Sequence, residues 1–307
     1  MQVTSTCEVA VIGVGYVGLT TAVCLAQLGH RVHGLDTDQQ RIDELSQGLS
    51  PIFEPDLDPL LHEVVTSGQL DFTSDYRSAL SAADVVFICV PTPQDEDGSA
   101  DLRYVLAAAR AAAPQMKAGT VLVTKSTVPV GSAQEVAAAV GRDDIFIASN
   151  PEFLREGSAV HDFFHPDRIV VGAARPDVAQ RIANLYADIH TPIVITSLAA
   201  AELIKYASNA FLATKLSFVN DLAALCAVTG ADVGQVMHGM GLDSRIGDKF
   251  LNPGPGWGGS CFPKDTRALA ALAEAQGVPM PMVTAAIASN ERAHQRIVDL
   301  VAAACAG

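Results

Sequence analysis

Short apolar runs rich in β-branched residues alternate with Ala- and Leu-rich stretches over the first two thirds of the chain. Such runs, bounded by Gly, Pro, Asp or Asn, indicate buried strands, and the stretches between most of them have a helical period. This alternation is typical of a parallel, doubly wound (Rossmann-type) sheet with helices on both faces. The predicted strands are 7–12, 31–35, 84–90, 120–127, 144–149, 168–172 and 192–196.

The strand pattern stops after Thr196, and the later periodic segments are all helical. Residues 199 to about 229 predict one helix of roughly 30 residues, closed by Gly230. We therefore predict two domains: a Rossmann-like domain over residues 1–197, and a long connecting helix with an all-α domain over residues 198–307. A chain of 307 residues is long enough for two domains of about 150 residues each.

The charge balance narrows the range of partners. The chain has 20 Lys and Arg against 34 Asp and Glu, a formal net charge of −14, and no basic cluster, so nucleic acid is not an expected partner. Charged and turn residues interrupt the apolar stretches before the roughly 18 residues that a membrane span needs, so no membrane partner is expected. The N-terminus lacks the basic region of a secretory signal, and six cysteines without a C-x-x-C pair fit a cytoplasmic protein.

A glycine motif lies between the first predicted strand and a predicted helix. Gly13 allows a tight turn, Gly15 lets backbone N–H groups approach a pyrophosphate, and Gly18 lets the helix pack close to the sheet. Asp36 ends the second strand about 20 residues later, where a carboxylate accepts hydrogen bonds from a ribose and repels a 2′-phosphate. NAD is therefore favoured over NADP, and Arg41 is placed to soften that repulsion. The alternative is a tight turn and a helix-capping Asp. The motif reads Gly13-Val14-Gly15-Tyr16-Val17-Gly18.

A second motif is a Gly- and Pro-rich loop that ends in one cysteine. Its backbone can wrap closely around a ligand, and a neighbouring Lys264 would lower the pKa of the Cys261 thiol and favour a nucleophilic thiolate. The alternative is a buried structural cysteine at a turn into a helix over residues 266–275. The loop reads Pro253-Gly254-Pro255-Gly256-Trp257-Gly258-Gly259-Ser260-Cys261-Phe262-Pro263-Lys264-Asp265.

Other polar residues have helical spacing. Lys205 and Asn209 are four residues apart, so an ammonium and an amide share one helix face and can stabilise an alkoxide, or they simply form a solvated face. Glu152 and Glu156 are predicted in the first helical turn after an Asn150 cap, where acids are also expected from the helix dipole alone. We do not predict a zinc site at 161 and 165, because no third ligand is evident for these histidines.

The chain resembles the nucleotide-sugar dehydrogenases of the UDP-glucose/GDP-mannose dehydrogenase family. The resemblance covers essentially the whole chain, and segment 244–251 is more similar to members that use UDP-glucose than to those that use GDP-mannose or UDP-N-acetylmannosamine. Its motifs, in order, are the glycine motif with Leu19, Pro51-Ile52-Phe53-Glu54-Pro55, Val90-Pro91-Thr92-Pro93, Lys125-Ser126-Thr127-Val128-Pro129-Val130-Gly131, Asn150-Pro151-Glu152-Phe153-Leu154-Arg155-Glu156-Gly157, Glu202-Leu203-Ile204-Lys205-Tyr206, Asn209, Ser244-Arg245-Ile246-Gly247 and the Cys261 loop.

The resemblance implies an NAD-dependent, four-electron oxidation of the UDP-glucose C6 alcohol to UDP-glucuronate through an aldehyde, a thiohemiacetal and a thioester. It implies Cys261 as the nucleophile, and Lys205 and Asn209 as the groups that stabilise the alkoxide. Asp265 is implied as a base or water-positioning group, with a helix N-cap as its alternative role, and Thr127 as a residue that binds the water. Glu156 is implied as the base for thioester hydrolysis, and Glu152 as a neighbour of NAD or water. The implied cofactor-binding residues are Gly13, Gly15, Tyr16, Val17, Gly18, Asp36, Arg41, Thr92, Thr127, Glu156 and Lys264. The implied substrate-binding residues are Glu152, Phe153, Leu154, Arg155, Lys205, Asn209, Arg245, Phe250, Gly258 and Cys261.

The resemblance also implies a homodimer formed through the long helix and the α-domain, with Arg245 reaching a substrate phosphate across the interface. Family members normally carry a third, UDP-binding α/β domain, and we expect it to be absent because the sequence ends at Gly307 within the helical region. The alternatives are a different nucleotide sugar, a two-electron β-hydroxyacid dehydrogenase, which would have no use for Cys261, and an inactive NAD-binding fragment.

Overall fold

A computed structural model describes residues 6–95 and 98–306. The N-terminal segment on which the absence of a signal peptide was predicted lies largely outside the described residues. The chain divides into two compact units, the first formed by residues 1–93 and 101–205 and the second by residues 94–100 and 206–307. This division falls eight residues beyond the predicted boundary and assigns segment 94–100 to the second unit.

The first unit contains one sheet, which in the described residues has eight strands in the order β3-β2-β1-β4-β5-β6-β7-β8. Neighbouring strands are parallel except β6 and β7, which pair antiparallel. The predicted doubly wound sheet is confirmed, with this one antiparallel pair as a correction. The strands are β1 Glu8–Ile12, β2 Arg31–Leu35, β3 Leu70–Thr73, β4 Val85–Ile88, β5 Val121–Thr124, β6 Phe146–Ser149, β7 Ile169–Ala173 and β8 Ile193–Thr196.

The central strands are apolar on both faces because helices cover both. Along β4, Val85 and Phe87 belong to one apolar cluster and Val86 and Ile88 to another, so successive side chains supply two separate cores. The helices of this unit are α1 Tyr16–Gln27, α2 Gln39–Ser46, α3 Leu57–Thr66, α4 Tyr76–Leu80, α5 Arg103–Ala112, α6 Ser132–Val140, α7 Ala159–Phe164 and α8 Pro176–Asn184.

The second unit is helical, as predicted for the region after the long helix. A small core forms around Tyr206, Leu269 and Val283, and another around Val219 and Met237. Helix α9 Leu198–Thr229 begins in the first unit and continues into the second. The other helices are α10 Val233–Gly241, α11 Phe262–Ala275 and α12 Pro281–Cys305.

The strand β3 was missed by the sequence analysis, because it is a four-residue edge strand in which Leu70 is buried and Asp71 exposed. Such a run is too short for its alternation to stand out. The other seven strands occur where they were predicted, most of them shorter by one to four residues.

The expectation that no apolar stretch is long enough to cross a membrane needs correction for α9. By length and composition this helix qualifies as a span, and 28% of its most apolar window is buried within the chain. Its charges are too widely spaced to interrupt the apolar run. Glu202, however, binds two backbone amides and Lys205 pairs with Glu152, which are contacts of a helix packed within a protein.

Candidate active site

The turn after β1 has the geometry of a dinucleotide-binding loop. Gly13 adopts a left-handed φ of +89°, and a Cβ at this position would lie 3.1 Å from the backbone of Cys89. A Cβ on Gly18 would lie 1.8 Å from the Gly13 carbonyl oxygen, so α1 can approach the turn only because Gly18 has no side chain. At Gly15, by contrast, a Cβ would meet nothing within 4 Å. The chain packing does not require glycine there, whereas a closely bound pyrophosphate would.

Asp36 follows β2, and its carboxylate is already fixed. Its Oδ2 accepts from the Val14 amide at 3.1 Å and from Arg41 Nη1 at 2.9 Å, and its Oδ1 accepts from the Asp38 amide at 3.1 Å. The bond to Val14 ties the carboxylate to the glycine turn. Asp38, rather than Asp36, caps helix α2 by accepting from the Arg41 amide. The geometry therefore fits a ribose-binding Asp36, with Arg41 as its partner.

The other predicted cofactor residues of the first unit lie at the carboxyl ends of the central strands or at the start of α1. Tyr16 and Val17 open α1 and are half-buried. Thr92 is buried after β4, and Thr127 is half-buried in the loop after β5. Ligands of open α/β sheets bind at this edge of the sheet, so the fold places these residues on the expected side.

A buried ion pair joins α9 to the loop after β6. Lys205 Nζ lies 2.9 Å from Glu152 Oε1, and the other oxygen of Glu152 accepts from the Leu154 amide at 2.6 Å. The Lys205 and Glu152 side chains are 5% and 8% exposed. The interpretation of Lys205 as part of a solvated face is therefore wrong.

The predicted helix around Glu152 and Glu156 is also wrong. Residues 151–155 are neither helix nor strand, and α7 begins only at Ala159. The reason is that side chains bind the backbone of this segment: Glu152 turns back onto Leu154, and Asp162 accepts from the amide and guanidinium of Arg155. Asn150 reaches the Val170 carbonyl and does not cap a helix. Glu156 is exposed at the end of the segment.

Phe153 lies close to two cations. The guanidinium carbon of Arg168 lies 3.6 Å from the centre of its ring, and Lys205 Nζ lies 5.4 Å from it. Cation–π attraction of this kind holds an aromatic ring at a defined angle. Burial lowers the pKa of Arg168. Leu154 is half-buried and Arg155 exposed in the same segment.

In the second unit, the groups near the cysteine form a separate polar cluster. Asp265 is fully buried, and it accepts from Asn209 Nδ2 at 2.6 Å on one oxygen and from Lys264 Nζ at 2.6 Å on the other. Asn209 is likewise buried, so its interpretation as a solvated residue is wrong. Lys264 is paired with Asp265, so the Asp265 carboxylate partly neutralises the charge that was predicted to act on the Cys261 thiol.

Helix α11 begins at Phe262, four residues before the predicted start, and this changes the role of two residues. Asp265 lies inside the first turn, so its alternative role as an N-cap is wrong. Cys261 is the N-cap residue instead, and its carbonyl accepts from the Asp265 amide at 2.9 Å. The positive end of a helix dipole also favours a thiolate at this position. The thiol is half-buried, with Ser260 Oγ 3.6 Å from its sulfur.

A buried amide frame holds the loop before Cys261. Asn290 on α12 accepts from the Trp257 amide at 2.7 Å and donates to the Trp257 carbonyl at 2.9 Å. The Trp257 indole donates to Ser217 Oγ at 2.8 Å, and Asn220 accepts from the Gly254 amide at 2.8 Å. These bonds fix the loop backbone at Gly254 and Trp257, seven and four residues before Cys261. The sequence analysis gave no role to Asn290, Ser217 or Asn220.

Three predicted substrate residues lie near the surface of the second unit. Arg245 is exposed and pairs with Asp243 at 2.6 Å. Gly258 is exposed, and a Cβ there would meet nothing within 4 Å. Phe250 is half-buried and has a left-handed φ of +62°, an unfavourable conformation for a bulky residue and one that is found preferentially at functional sites.

Three buried charged residues, Glu54, Lys125 and Glu202, were missed, although all three lie in motifs quoted above. Lys125 is fully enclosed: its Nζ donates to Asn150 Oδ1 at 3.1 Å, and burial lowers its pKa. Glu202 accepts from the amides of Gly131 and Ala133 at 2.8 and 3.0 Å, which caps α6 from a distance, and burial raises its pKa. A charged residue inside an otherwise apolar pattern was the available signal.

The remaining cysteines and histidines do not join either cluster. Burial raises the pKa of Cys7 and of Cys89 to about 12 and also raises the pKa of Cys24, so these thiols are poor nucleophiles. Cys226 is buried and Cys305 exposed. His161 and His165 have ring centres 4.9 Å apart, and no group of three metal-ligating side chains occurs within residues 6–95 and 98–306.

A glycine-rich dinucleotide turn, with an acidic residue after the second strand and a helical unit after the sheet, defines the class of dinucleotide-dependent dehydrogenases. Comparison with known proteins agrees with this class. Residues 7–190 match the model of the UDP-glucose/GDP-mannose dehydrogenase family, NAD binding domain, and residues 199–292 match the central domain of the same family. The chain therefore belongs to the UDP-glucose/GDP-mannose dehydrogenase family of NAD-dependent oxidoreductases. The predicted family and the predicted cofactor, NAD, are confirmed.

Individual relatives extend this result. The chain is 47% identical over 297 residues to the UDP-glucose 6-dehydrogenase TuaD of Bacillus subtilis strain 168, covering 95% of this chain and 64% of TuaD. It matches the structure of a UDP-glucose dehydrogenase from Pyrobaculum islandicum with a TM-score of 0.92 and 43% identity, covering 95% of this chain and 69% of that one. A UDP-D-ManNAc dehydrogenase from Pyrococcus horikoshii matches with a TM-score of 0.86 and 28% identity, covering 95% of this chain and 70% of that one. The chain thus spans about two thirds of the length of these relatives.

Proposed function

We propose that this protein oxidises the C6 alcohol of UDP-glucose to the carboxylate of UDP-glucuronate in an NAD-dependent, four-electron reaction. The observation that carries the proposal is the position of Cys261, the N-cap residue of α11, one turn before the buried Asp265 to which Asn209 is hydrogen-bonded. An alcohol dehydrogenase that stops at the aldehyde needs no such thiol. An enzyme that continues to the acid can use one to hold the aldehyde carbon covalently for the second hydride transfer.

The first oxidation removes a proton and a hydride from the C6 hydroxymethyl group and leaves an aldehyde. Developing negative charge on the oxygen needs donors, and the Lys205 ammonium and the Asn209 amide are the groups we assign. Glu152 balances the buried Lys205 charge. Asp265 orients the Asn209 side chain by accepting from its Nδ2, which leaves the amide oxygen and the second N–H of Asn209 for other contacts.

The second oxidation proceeds through Cys261. The thiolate adds to the aldehyde carbon to form a thiohemiacetal, whose oxygen again binds to Lys205 and Asn209. Loss of the carbon-bound hydride and of the hydroxyl proton leaves a thioester. Water then attacks the thioester carbon, and the C–S bond breaks to release the carboxylate and the thiol. We assign Glu156 as the base for this water, Asp265 as a second base or water-orienting group and Thr127 as a water ligand.

NAD, when bound, accepts the hydride of each oxidation. The residues that fit it are the Gly13 turn for the pyrophosphate, Asp36 with Arg41 for the adenosine ribose, and Tyr16, Val17 and Thr92 along the carboxyl edge of the sheet. We also assign Thr127, Glu156 and Lys264 as neighbours of the cofactor. The open space beside Gly15 is the feature of this chain that supports the fit most directly.

UDP-glucose is favoured over other nucleotide sugars by similarity. Identity is 47% to TuaD and 28% to the UDP-D-ManNAc dehydrogenase, and both comparisons cover 95% of this chain. We assign Phe153, Leu154 and Arg155 to the sugar-phosphate contacts, with Phe250 and Gly258 lining the sugar site. Arg245, which is exposed and pairs with the neighbouring Asp243, is assigned to a substrate phosphate.

We propose a homodimer that forms through α9. Phe211, Phe218 and Leu225 recur every seven residues along the helix and are 68%, 53% and 55% exposed. A stripe of large apolar side chains at this spacing fits the knobs-into-holes packing of a second helix. Arg245 would then act in the partner's site. We further propose that the protein is cytoplasmic, without membrane or nucleic-acid partners.

Substrate choice tests the proposal. NADH formation is measured with UDP-glucose, GDP-mannose and UDP-N-acetylmannosamine at equal concentrations, for the parent protein and for Cys305→Ser as the control thiol substitution. We expect UDP-glucose to react with a kcat/KM at least about 10-fold above the others, since a misfitting sugar leaves polar groups of a site unpaired. Equal rates with all three, or none with UDP-glucose, would overturn the assignment.

A further inference from the structure

We propose that Glu54 is a positioning residue that fixes segment 152–157, with the two acids Glu152 and Glu156, relative to the first turn of α1. This inference rests on the proposed function for the roles of those acids. Glu54 belongs to the Pro51–Pro55 motif, for which neither the sequence nor the reaction provided a role. It lies in the connection between α2 and α3, far along the chain from both segments that it contacts.

The contacts of Glu54 use both of its carboxylate oxygens. One oxygen accepts from the Tyr16 hydroxyl at 2.5 Å and from the Gly157 amide at 2.9 Å. The other accepts from the Ala159 amide at 2.6 Å. The residue is 4% exposed, and no Lys, Arg or His pairs with it among the described residues. A buried carboxylate without a cation is stabilised only by its donors, so these three bonds must be kept together.

The two segments that Glu54 joins contain residues that we assign to the reaction. Tyr16 follows Gly15 directly and opens α1, where we place the pyrophosphate. Gly157 follows Glu156 directly, and Ala159 is the first residue of α7. The N-cap residue Ser158 makes no capping bond, because its hydroxyl donates to Asp162 instead. Glu54 supplies the missing acceptor and at the same time binds the tyrosine beside the cofactor turn.

The segment depends on such bonds because it has no regular structure of its own. Residues 151–155 are neither helix nor strand. One end of segment 152–157 is held by the ion pair between Glu152 and Lys205. The other end is held by Glu54, which accepts from the Gly157 amide. Burial and the Glu54 carboxylate together raise the pKa of Tyr16, so its hydroxyl is a hydrogen-bond donor toward Glu54. Tyr16 also has its hydroxyl 3.4 Å from the Arg155 carbonyl oxygen, a longer bond from α1 to the same segment, so Glu54 provides the shorter bonds between α1 and the residues after Glu156.

The substitution Glu54→Gln tests this role at constant size. A carboxylate accepts on both oxygens, whereas an amide presents an NH₂ group on one side. In either orientation, that NH₂ faces a backbone N–H: Ala159 in one case, Gly157 in the other. Tyr16→Phe removes the third donor and leaves both backbone bonds intact. Glu63→Gln, an exposed acid on α3, is the matched control.

The experiment combines kinetics with hydrogen exchange. We measure kcat and KM for UDP-glucose at saturating NAD, the NAD dissociation constant by calorimetry, and amide exchange of the peptide covering residues 153–160. For Glu54→Gln we expect a kcat lower by about 10²-fold, since a displacement of about 1 Å has this effect on a reacting group. We expect the NAD dissociation constant to change less than about threefold and exchange at Gly157 and Ala159 to rise about 10-fold, as for a lost bond worth about 1.4 kcal/mol. Tyr16→Phe should lower kcat less, and the double variant should be no worse than Glu54→Gln alone.

Three results would overturn the proposal. The first is a Glu54→Gln protein with the kcat and exchange of Glu63→Gln. The second is a parallel loss of kcat, NAD affinity and thermal stability, which indicates a merely structural role. The third is additivity of the Tyr16→Phe and Glu54→Gln effects on kcat. If the parent protein forms no NADH from UDP-glucose, the proposed function fails, whereas unchanged exchange at residues 157 and 159 in Glu54→Gln rejects the positioning role separately.

Discussion

Lys205 Nζ and Glu152 Oε1 lie 2.9 Å apart in a pair whose side chains are 5% and 8% exposed. An ion pair taken out of water contributes little net stability, but removing one partner leaves a buried charge and destabilises by about 3–5 kcal/mol. The stability of the fold alone therefore does not explain why such a pair is present. The pair joins α9 to the loop after β6 and holds the Lys205 ammonium at a fixed point away from bulk water.

The first prediction concerns this pair. Lys205→Met should lower kcat for UDP-glucose oxidation by about 10³-fold, because it removes a donor to the developing alkoxide. Glu152→Gln should lower it by about 10-fold or more, because the ammonium loses its orienting partner. Lys215→Met, ten residues further along α9, provides the control. Initial NADH formation at saturating substrate is the measurement, and a Lys205→Met rate equal to that of Lys215→Met would reject the role of Lys205.

The second prediction concerns the thiols. Cys261→Ser should abolish net carboxylate formation, because a serine hydroxyl does not ionise readily at neutral pH. Iodoacetamide should alkylate Cys261 well before Cys24, Cys89 and Cys7, whose pKa values are raised by burial. Peptide mapping after timed alkylation distinguishes Cys261 from the exposed Cys305. Alkylation of Cys89 at the same rate as Cys261 would contradict the assignment of Cys261 as the reactive thiol.

The third prediction concerns cofactor choice. NAD should bind at least about 10-fold more tightly than NADP, because a 2′-phosphate would meet the Asp36 carboxylate in a partly desolvated site. Asp36→Asn should weaken NAD by about 10-fold, as for a lost hydrogen bond to a charged group, and reduce the discrimination. Asp43→Asn, an exposed substitution on α2, is the control. Calorimetric titrations with both dinucleotides make the comparison, and equal affinities in the parent protein would contradict the role of Asp36.

The fourth prediction concerns stability against pH. His33 on β2 lies between Asp71 on β3, at 2.7 Å, and Glu8 on β1, at 3.4 Å. The hydrogen bond to Asp71 raises the pKa of His33 above its ordinary value of 6.5. A histidine whose pKa is raised by folding stabilises the folded protein fully at pH values below its unfolded-state pKa. This stabilisation is lost as the pH rises through its folded-state pKa.

His33→Gln should therefore lower the free energy of unfolding more at pH 6 than at pH 9. Urea titrations of His33→Gln, of the parent and of the exposed control His62→Gln at both pH values measure the difference. A His33→Gln effect that is equal at the two pH values, or larger at pH 9, would show that the charged imidazole does not stabilise the sheet.

The sheet could be predicted from the sequence because its strands are buried on both faces. The β4 run Val85–Ile88 and residues 121–123 of β5 are continuous apolar segments, and the glycine turn indicates that the sheet binds a dinucleotide. Strand β3 lacks this signal, since it lies at the edge with one side exposed. The periodicity of apolar residues indicates which positions are buried, so it does not identify a strand that is only partly buried.

The site was less predictable because its backbone is shaped by contacts between distant parts of the chain. The expected helix around Glu152 does not form, since Lys205 and the Leu154 amide bind that carboxylate. Asp265 was misplaced as a cap because α11 starts four residues early, at Phe262. Glu54 contacts amides 103 and 105 residues away, and no local pattern indicates such a pairing. The candidate residues came from motifs, whereas the groups that hold each of them in place needed the structure.

The stoichiometry of the reaction tests the central claim most directly. The protein is incubated with a limiting amount of UDP-glucose and excess NAD, and NADH is counted by absorbance against UDP-glucuronate counted by chromatography. A thioester route through Cys261 predicts two NADH for each UDP-glucuronate, with no aldehyde accumulating. One NADH per sugar, with the aldehyde as the final product, or carboxylate formation that persists in Cys261→Ser, would contradict the covalent four-electron mechanism.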